Sequence, residues 1–226
     1  MGVRHVIWDW NGTLLDDFAV ILDATNVSCR ELLGVAVSED DYRRHFTRPV
    51  QRFYERLLDR PITEDEWERL NDGFHRSYTA GLVEASLAPG AEAALRRLRQ
   101  AGVTQSILSL WVHDQLVDTV ERLGIGDYFV LVDGRPEPSD GGVKRDHLIR
   151  HLDRLQAASG AGWGGDGALM IGDSLDDAHA AAEARLPCVL VEGGSHHRED
   201  LVTAGVPVAS TLPEALALGG ALGALG

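Results

Sequence analysis

Short apolar runs, each leading into an acidic, hydroxyl or glycine residue, alternate along this chain with longer stretches of helical periodicity. That alternation restricts the fold more than any other feature. The runs are residues 6–9, 106–109, 128–132, 168–171 and 188–191. They are too brief for helices and mostly apolar, as strands covered on both faces are. Between them lie helical patterns over residues 91–100, 114–123, 145–155 and 177–184. Gly102 and Gly124 follow the last apolar turns of the first two and read as helix stops. Thr211-Leu212-Pro213-Glu214 has capping-box spacing and opens a last short helix. Strands alternating with helices predict an α/β fold, a doubly wound and largely parallel Rossmann-like sheet of five or more strands. The segment 160–167 reads as a glycine-rich linker, because it lacks the lysine and hydroxyl of a phosphate loop. The Gly/Ala/Leu tail 219–226 is expected to fray.

One interval breaks the rhythm. From residue 17 to residue 88 there is no convincing strand, only helical patterns over 17–33, 39–45, 50–58 and 64–83. Ser38 and Thr63 are suited to N-caps, and Thr63 with Glu66 has the spacing of a capping box. The expectation is a two-part catalytic core, residues 1–16 and 89–226, interrupted by a helical cap over 17–88. An all-helical insert placed between the first two strands suggests a lid.

Composition removes whole classes of function. Lys and Arg number 21 against 35 Asp and Glu, for a formal net charge of −14. A nucleic-acid binder needs a basic surface to replace phosphate counterions, and an anionic membrane repels so acidic a chain. No apolar stretch reaches the length that spans a bilayer. The N-terminus runs straight into a strand-like Val6-Ile7-Trp8 and does not read as a signal peptide. Two cysteines cannot build a disulfide framework, so Cys29 and Cys188 are expected to be small buried hydrophobes. A soluble, cytoplasmic protein is the expectation. The sequence is silent on its oligomeric state.

In open α/β sheets, ligands gather beyond the carboxyl ends of the strands. After the first run comes Asp9-Trp10-Asn11-Gly12-Thr13, and the second ends at Ser109. The third leads through a loop, 133–142, toward Lys144, and the fourth leads into Gly172-Asp173-Ser174-Leu175-Asp176-Asp177. Carboxylates arriving from two strand ends repel each other unless a cation lies between them. Oxygen ligands of this kind suit Mg²⁺, which binds through one or two carboxylates plus a substrate phosphate. A hydroxyl and an amine suit phosphoryl oxygens, and an aspartate within reach of phosphorus can attack it. The chemistry these residues point to is metal-assisted phosphoryl transfer.

Asp9-Trp10-Asn11-Gly12-Thr13-Leu14, Ser109, Lys144 and Gly172-Asp173-Ser174-x-x-Asp177 resemble, in order, the four motifs of the haloacid dehalogenase superfamily. The helical insert falls where that family carries its cap. The resemblance implies that Asp9 is the nucleophile. It implies Mg²⁺ held by Asp9, the backbone carbonyl of Asn11 and Asp173, with Asp177 in support. It assigns Ser109, Lys144 and the Gly12 turn to the phosphoryl group. The chain departs from the pattern at Asn11, where phosphatases of the superfamily carry a second Asp that protonates the leaving oxygen and later activates water. A carboxamide does neither, while its backbone carbonyl is unchanged. Acid–base work of that kind is worth about 10²–10⁴ in rate. On sequence alone, a carboxyl restored at residue 11 is therefore expected to raise turnover of alkyl phosphates.

Other features have plainer readings. Asp176 fits a helix's first turn. Ser106 is expected to pack or point away from the site, and Arg145 competes with Lys144 as the cation. His147 and His151 read as a surface pair on one helix. His196 and His197 read as loop surface, with one of them, or His113, a candidate proton source. Trp10 and Trp111 read as core. Arg43, Arg44 and Arg52 read as a solvated helix face. Arg48, in a break between insert helices, is the exception, suited to gripping an anionic substrate group. The expected function is a Mg²⁺-dependent phosphatase of a small phosphorylated metabolite, working through an aspartyl-phosphate. The alternative is a poorly catalytic binding or regulatory protein on the same fold, suggested by Asn11.

Overall fold

Every residue of β1 (His5–Trp8) is buried, which is what a strand at the centre of a two-faced sheet requires. The computed structural model describes residues 2–136, 143–159 and 167–222. From β1 the chain turns through the Asp9–Leu14 segment into a two-residue strand, β2 (Leu15–Asp16), and then into four helices. These are α1 (Phe18–Leu33), α2 (Glu39–His45), α3 (Val50–Leu58) and α4 (Glu64–Gly81). A 3₁₀ turn follows, and then β3 (Ser86–Leu87), which pairs antiparallel with β2. The two passages of the chain into and out of the helical insert are thus tied to each other. The rest is α5 (Ala91–Gln100), β4 (Thr104–Val112), α6 (His113–Arg122), β5 (Leu131–Arg135), α7 (Lys144–Ser159), β6 (Ala168–Gly172), α8 (Leu175–Glu183), β7 (Cys188–Val191), α9 (Arg198–Val202), β8 (Val208–Ala209) and α10 (Leu212–Leu218).

The main sheet has six strands in the order β5-β4-β1-β6-β7-β8, all parallel. Ile7 lies opposite Ser106 on one side and Met170 on the other. The chain winds outward from β1 in one direction, returns, and winds outward in the other, so the crevice opens at the carboxyl end of β1. Alternate residues serve opposite faces. Val6, Trp8, Leu169 and Ile171 pack with Leu95, Leu98, Leu116 and Leu216. Ile7, Met170 and Leu190 pack with Leu148, Leu155 and Ala181. The insert has a core of its own, in which Phe18, Cys29, Tyr42, Phe53, Tyr54 and Leu70 are buried together.

Local signals held where they were strong. Ser38 accepts from the Asp41 N–H, and Thr63 with Glu66 forms a complete capping box. Thr211 accepts from the Glu214 N–H at 3.3 Å, although the Glu214 carboxylate reaches Ser210 N instead of closing the box. Cys29, Cys188, Trp10 and Trp111 are buried as expected. The strand expected over 128–132 starts later, at Leu131, because residues Gly126–Tyr128 form a 3₁₀ turn. Strand β4 is nine residues long, reaching well past Ser109. The two-residue pair β2–β3 and the edge strand β8 carry too few residues to show a pattern. Most of the expected linker and the end of the tail, residues 160–166 and 223–226, lie outside the described residues, as does the 137–142 part of the loop before Lys144.

His147 and His151 are buried, not a surface pair. His151 Nε2 lies 2.7 Å from the Ser106 hydroxyl and its Nδ1 lies 2.6 Å from Asp133. Ser106 in turn meets His5 at 2.8 Å. A polar seam therefore crosses one face of the sheet, and helical spacing alone cannot distinguish a buried polar stripe from a wet one. Among the described residues, no helix is long and apolar enough to cross a membrane.

Candidate active site

Strand β1 ends at Trp8, and its neighbour β6 ends at Gly172, so Asp9 and Asp173 leave adjacent parallel strands at the same level. Close approach of their loops depends on glycine. Gly12 has φ +71°, and a Cβ on it would meet Asp173 Oδ2 at 2.8 Å. An alanine there is both strained and obstructed. Gly194, in the loop after β7, leaves no room for a Cβ because the Asp173 carboxylate fills that space. Its neighbour Ser195 donates its backbone N–H to Asp173 Oδ2 at 2.8 Å.

Asp177 serves two purposes. Its Oδ2 accepts from the Ser174 N–H and hydroxyl, at 3.1 and 2.6 Å, in the capping box that opens α8. Its Oδ1 lies 2.8 Å from Lys144 Nζ. Lys144, the first residue of α7, also pairs with Asp9 Oδ1. The amine is thus held between two carboxylates and is only 6% exposed. Arg145 instead faces outward to Glu183 at 3.1 Å, which settles which cation enters the site. One carboxylate oxygen from each of Asp9, Asp173 and Asp177 lies within 4.8 Å of the others.

The charges in this cluster do not cancel: three buried carboxylates face one amine. Burial pushes the Asp9 carboxyl up to about 6, and Asp177 adds to the push while Lys144 opposes it. Burial also raises Asp173 well above the usual carboxylate range, with Asp9 and Asp177 adding to the effect. For Asp177, burial works upward too, but Lys144 and Ser174 prevail and hold it below its usual value. Burial disfavours the Lys144 charge, yet Asp177 and Asp9 outweigh it and its pKa rises. The residual negative charge and the oxygen-only donor set fit a small hard cation.

Ser109 lies within β4, buried, accepting the Trp111 N–H at 2.9 Å and reaching Asn11 Oδ1 at 3.4 Å. Asn11 Nδ2 donates to Asp17 Oδ2 at 2.8 Å and to the Tyr78 hydroxyl at 2.7 Å. Gly12 N–H donates to Asp17 Oδ1 at 2.9 Å. The sequence residues Asp9, Asn11, Gly12, Ser109, Lys144, Asp173 and Asp177 are all brought together. Asp17 and Tyr78 were not anticipated: neither belongs to a strand-end motif, and Tyr78 is 67 residues from its partner Asn11.

Arg48 sits at the rim. Its Nε lies 3.1 Å from Asp176, so the first-turn acid pairs with the insert. Arg43 is not a solvated cation: it donates to the carbonyls of Gly194 and Gly193 at 2.9 and 3.2 Å and lies over the Phe18 ring. Arg44 pairs with Asp40 on the surface, as expected. His196 is buried against Phe46, and burial lowers its pKa, whereas His197 is half-exposed, 3.2 Å from Asp40.

A family model for haloacid dehalogenase-like hydrolases matches residues 3–185. The chain belongs to that family. Its curated relatives include a phosphoglycolate phosphatase of Mesorhizobium japonicum, 29% identical over 193 residues that cover 84% of this chain and 82% of the relative. Another, from Synechococcus elongatus, is 27% identical over 205 residues, covering 89% and 90%. Among solved structures, a predicted phosphatase from Clostridium acetobutylicum superposes with a TM-score of 0.79 at 21% identity, covering 95% of this chain and 96% of that one. The α/β fold is therefore that of the family.

Proposed function

We propose that the protein is a Mg²⁺-dependent phosphatase acting on a small phosphate monoester of the 2-phosphoglycolate kind, through an aspartyl-phosphate on Asp9. The observation that carries the reading is the buried cluster of Asp9, Asp173 and Asp177 around Lys144 at the carboxyl end of β1. Asp9, Asp173 and the Asn11 backbone carbonyl would hold the ion, with Asp177 in support. When bound, Mg²⁺ supplies charge neutralisation for the phosphoryl oxygens.

Lys144 and Ser109 bind and orient the phosphoryl group, and the Gly12 turn keeps the approach open. An Asp9 oxygen attacks phosphorus; the new O–P bond forms as the ester O–P bond breaks, and the leaving alkoxide takes a proton delivered from water. Water then hydrolyses the acyl phosphate, which regenerates the Asp9 carboxylate and releases phosphate and a proton. The helical insert acts as the cap over the site, and Arg48 binds an anionic group on the substrate. Support comes from the gathered motif residues and from phosphatases among the relatives.

The test is steady-state phosphate release from a metabolite panel that includes 2-phosphoglycolate, with Mg²⁺ and with chelator. Chelator-sensitive turnover of at least one small phosphate monoester is the expected result. Tight binding of phosphorylated compounds without turnover would favour the alternative, a binding protein on the same fold.

A further inference from the structure

Asp17 precedes α1 at the N-cap position, yet its side chain caps nothing in that helix. An N-cap aspartate ordinarily accepts from the N–H groups of the first turn. Here the carboxylate turns back toward the site. Oδ1 accepts the Gly12 N–H, while Oδ2 accepts from Asn11 Nδ2 and from the Tyr78 hydroxyl. Asp17 is fully buried, and Tyr78 is 1% exposed.

Burial pushes the Asp17 carboxyl up, while the hydrogen bonds from Tyr78, Asn11 and Gly12 favour its charged form. With Asp17 ionised, the donors and acceptors in this group allow one arrangement. Three donors converge on the two Asp17 oxygens. The Tyr78 hydroxyl has one hydrogen and gives it to Asp17, so it must accept from residue 11. Residue 11 therefore has to present two N–H groups, one to Asp17 and one to Tyr78. A carboxamide does that, with its remaining Oδ1 turned to the Ser109 hydroxyl. An ionised aspartate has no hydrogen to give, and it would place a second negative charge where a donor is needed. Leaving buried acceptors unpaired is costly, and like charges in contact at a buried site cost more.

We propose that Asn11 and Asp17 are one matched unit, residue 17 supplying the carboxylate and residue 11 the amide, and that Asp17 and Tyr78 are positioning residues that fix the Asn11 side chain in the active site. The inference rests on the proposed reading of this site as a phosphatase centre, and it reverses what the sequence suggested for residue 11. Asn11 is not a damaged aspartate awaiting repair. Restoring the acid alone breaks two hydrogen bonds; restoring it together with an amide at residue 17 rebuilds them in the opposite sense. Tyr78 adds a further consequence. It comes from α4 of the insert and packs edge-on against Trp111 at 4.5 Å, two residues beyond Ser109. The orientation of Asn11 is thereby tied to the seating of the insert.

The experiment is a double-mutant cycle of Asn11→Asp, Asp17→Asn and the two combined, read by thermal unfolding and by kcat and KM for 4-nitrophenyl phosphate with Mg²⁺. Each single variant is expected to melt lower than wild type, by roughly 4–8 °C, if one to two buried hydrogen bonds are lost in a chain of this size. The double variant is expected to recover at least half of that loss. On kcat, Asn11→Asp is expected to lose about tenfold or more, with KM changed less, and the double variant to exceed it. Tyr78→Phe keeps the ring packing and removes the hydroxyl; it is expected to lower kcat more than it raises KM. Additive melting shifts, or an Asn11→Asp single variant as stable as wild type, would overturn the proposal. The melting cycle needs no turnover, so it can fail or succeed whether or not wild type proves to be a phosphatase.

Discussion

Asp9 is a nucleophile only if its carboxylate stays ionised in a place that resists charge, and Lys144 is the group that permits it. Burial raises the Asp9 pKa to about 6, and the value would climb further without the lysine. Lys144→Met removes the amine with little change in length. Its expected effect is a loss of at least about a hundredfold in kcat, from lost charge stabilisation of the phosphoryl group. Phosphate release kinetics at saturating Mg²⁺ would show this, and a variant within threefold of wild type would remove Lys144 from the mechanism. At the rim, Arg48 is tied to Asp176 but partly exposed, so the pair contributes little to stability. Arg48→Ala is expected to leave the melting temperature within about 1 °C. It should raise KM for a carboxylate-bearing substrate such as 2-phosphoglycolate about tenfold more than for 4-nitrophenyl phosphate. Equal KM effects on the two substrates would count against a substrate-gripping role.

At the scale of elements, what could be read in the sequence follows burial and locality. Strands β1, β6 and β7 were legible because a strand covered on both faces is apolar over most of its length, as in Val6-Ile7-Trp8 of β1. The insert helices were legible through caps such as Ser38 and Thr63, which act over three residues. Strands β2 and β3 were not, since a two-residue strand has no period. The site divides the same way. Asp9 and Asp173 immediately follow strands, and Asp177 lies in the first turn of the helix after β6, so chain order alone places them. Asp17 and Tyr78 act through a contact between residues 61 positions apart, which only the folded insert creates. His151 was misjudged because its partners, Ser106 and Asp133, sit on neighbouring strands. Metal binding depends in the same way on elements meeting, since Asp9 and Asp173 follow different strands. Excess Mg²⁺ should raise the melting temperature by stabilising the folded state alone. Asp173→Asn should abolish that rise, and an unmoved wild-type melting curve would contradict the site.

For the molecule as a whole, the polar seam across the sheet sets a pH limit on stability. Burial holds His5 neutral, with His151 adding to the effect, and its pKa falls from 6.5 to about 3. Burial and Lys144 do the same to His151, which also falls to about 3. In the unfolded chain both regain a pKa near 6.5 and take up protons that the folded state refuses. Their contribution is complete above pH 6.5 and is lost as pH falls from there toward about 3. Each histidine can cost at most about 1.4 kcal/mol per pH unit in that window. Urea unfolding between pH 7.5 and 4.5 should show stability falling toward the acid side, with a shallower fall in His151→Gln. A flat profile would mean that the seam takes up protons without opening.

Phosphoryl transfer through Asp9 would leave the phosphoryl group on that carboxylate between the two steps. The direct measurement is acid quenching of the Mg²⁺-loaded enzyme with a substrate carrying radiolabelled phosphate, followed by peptide mapping of the label. The expected result is label on the peptide containing Asp9 in wild type, and neither label nor turnover in Asp9→Asn protein that melts like a folded chain. Label on a different residue, or undiminished phosphate release by Asp9→Asn, would contradict it.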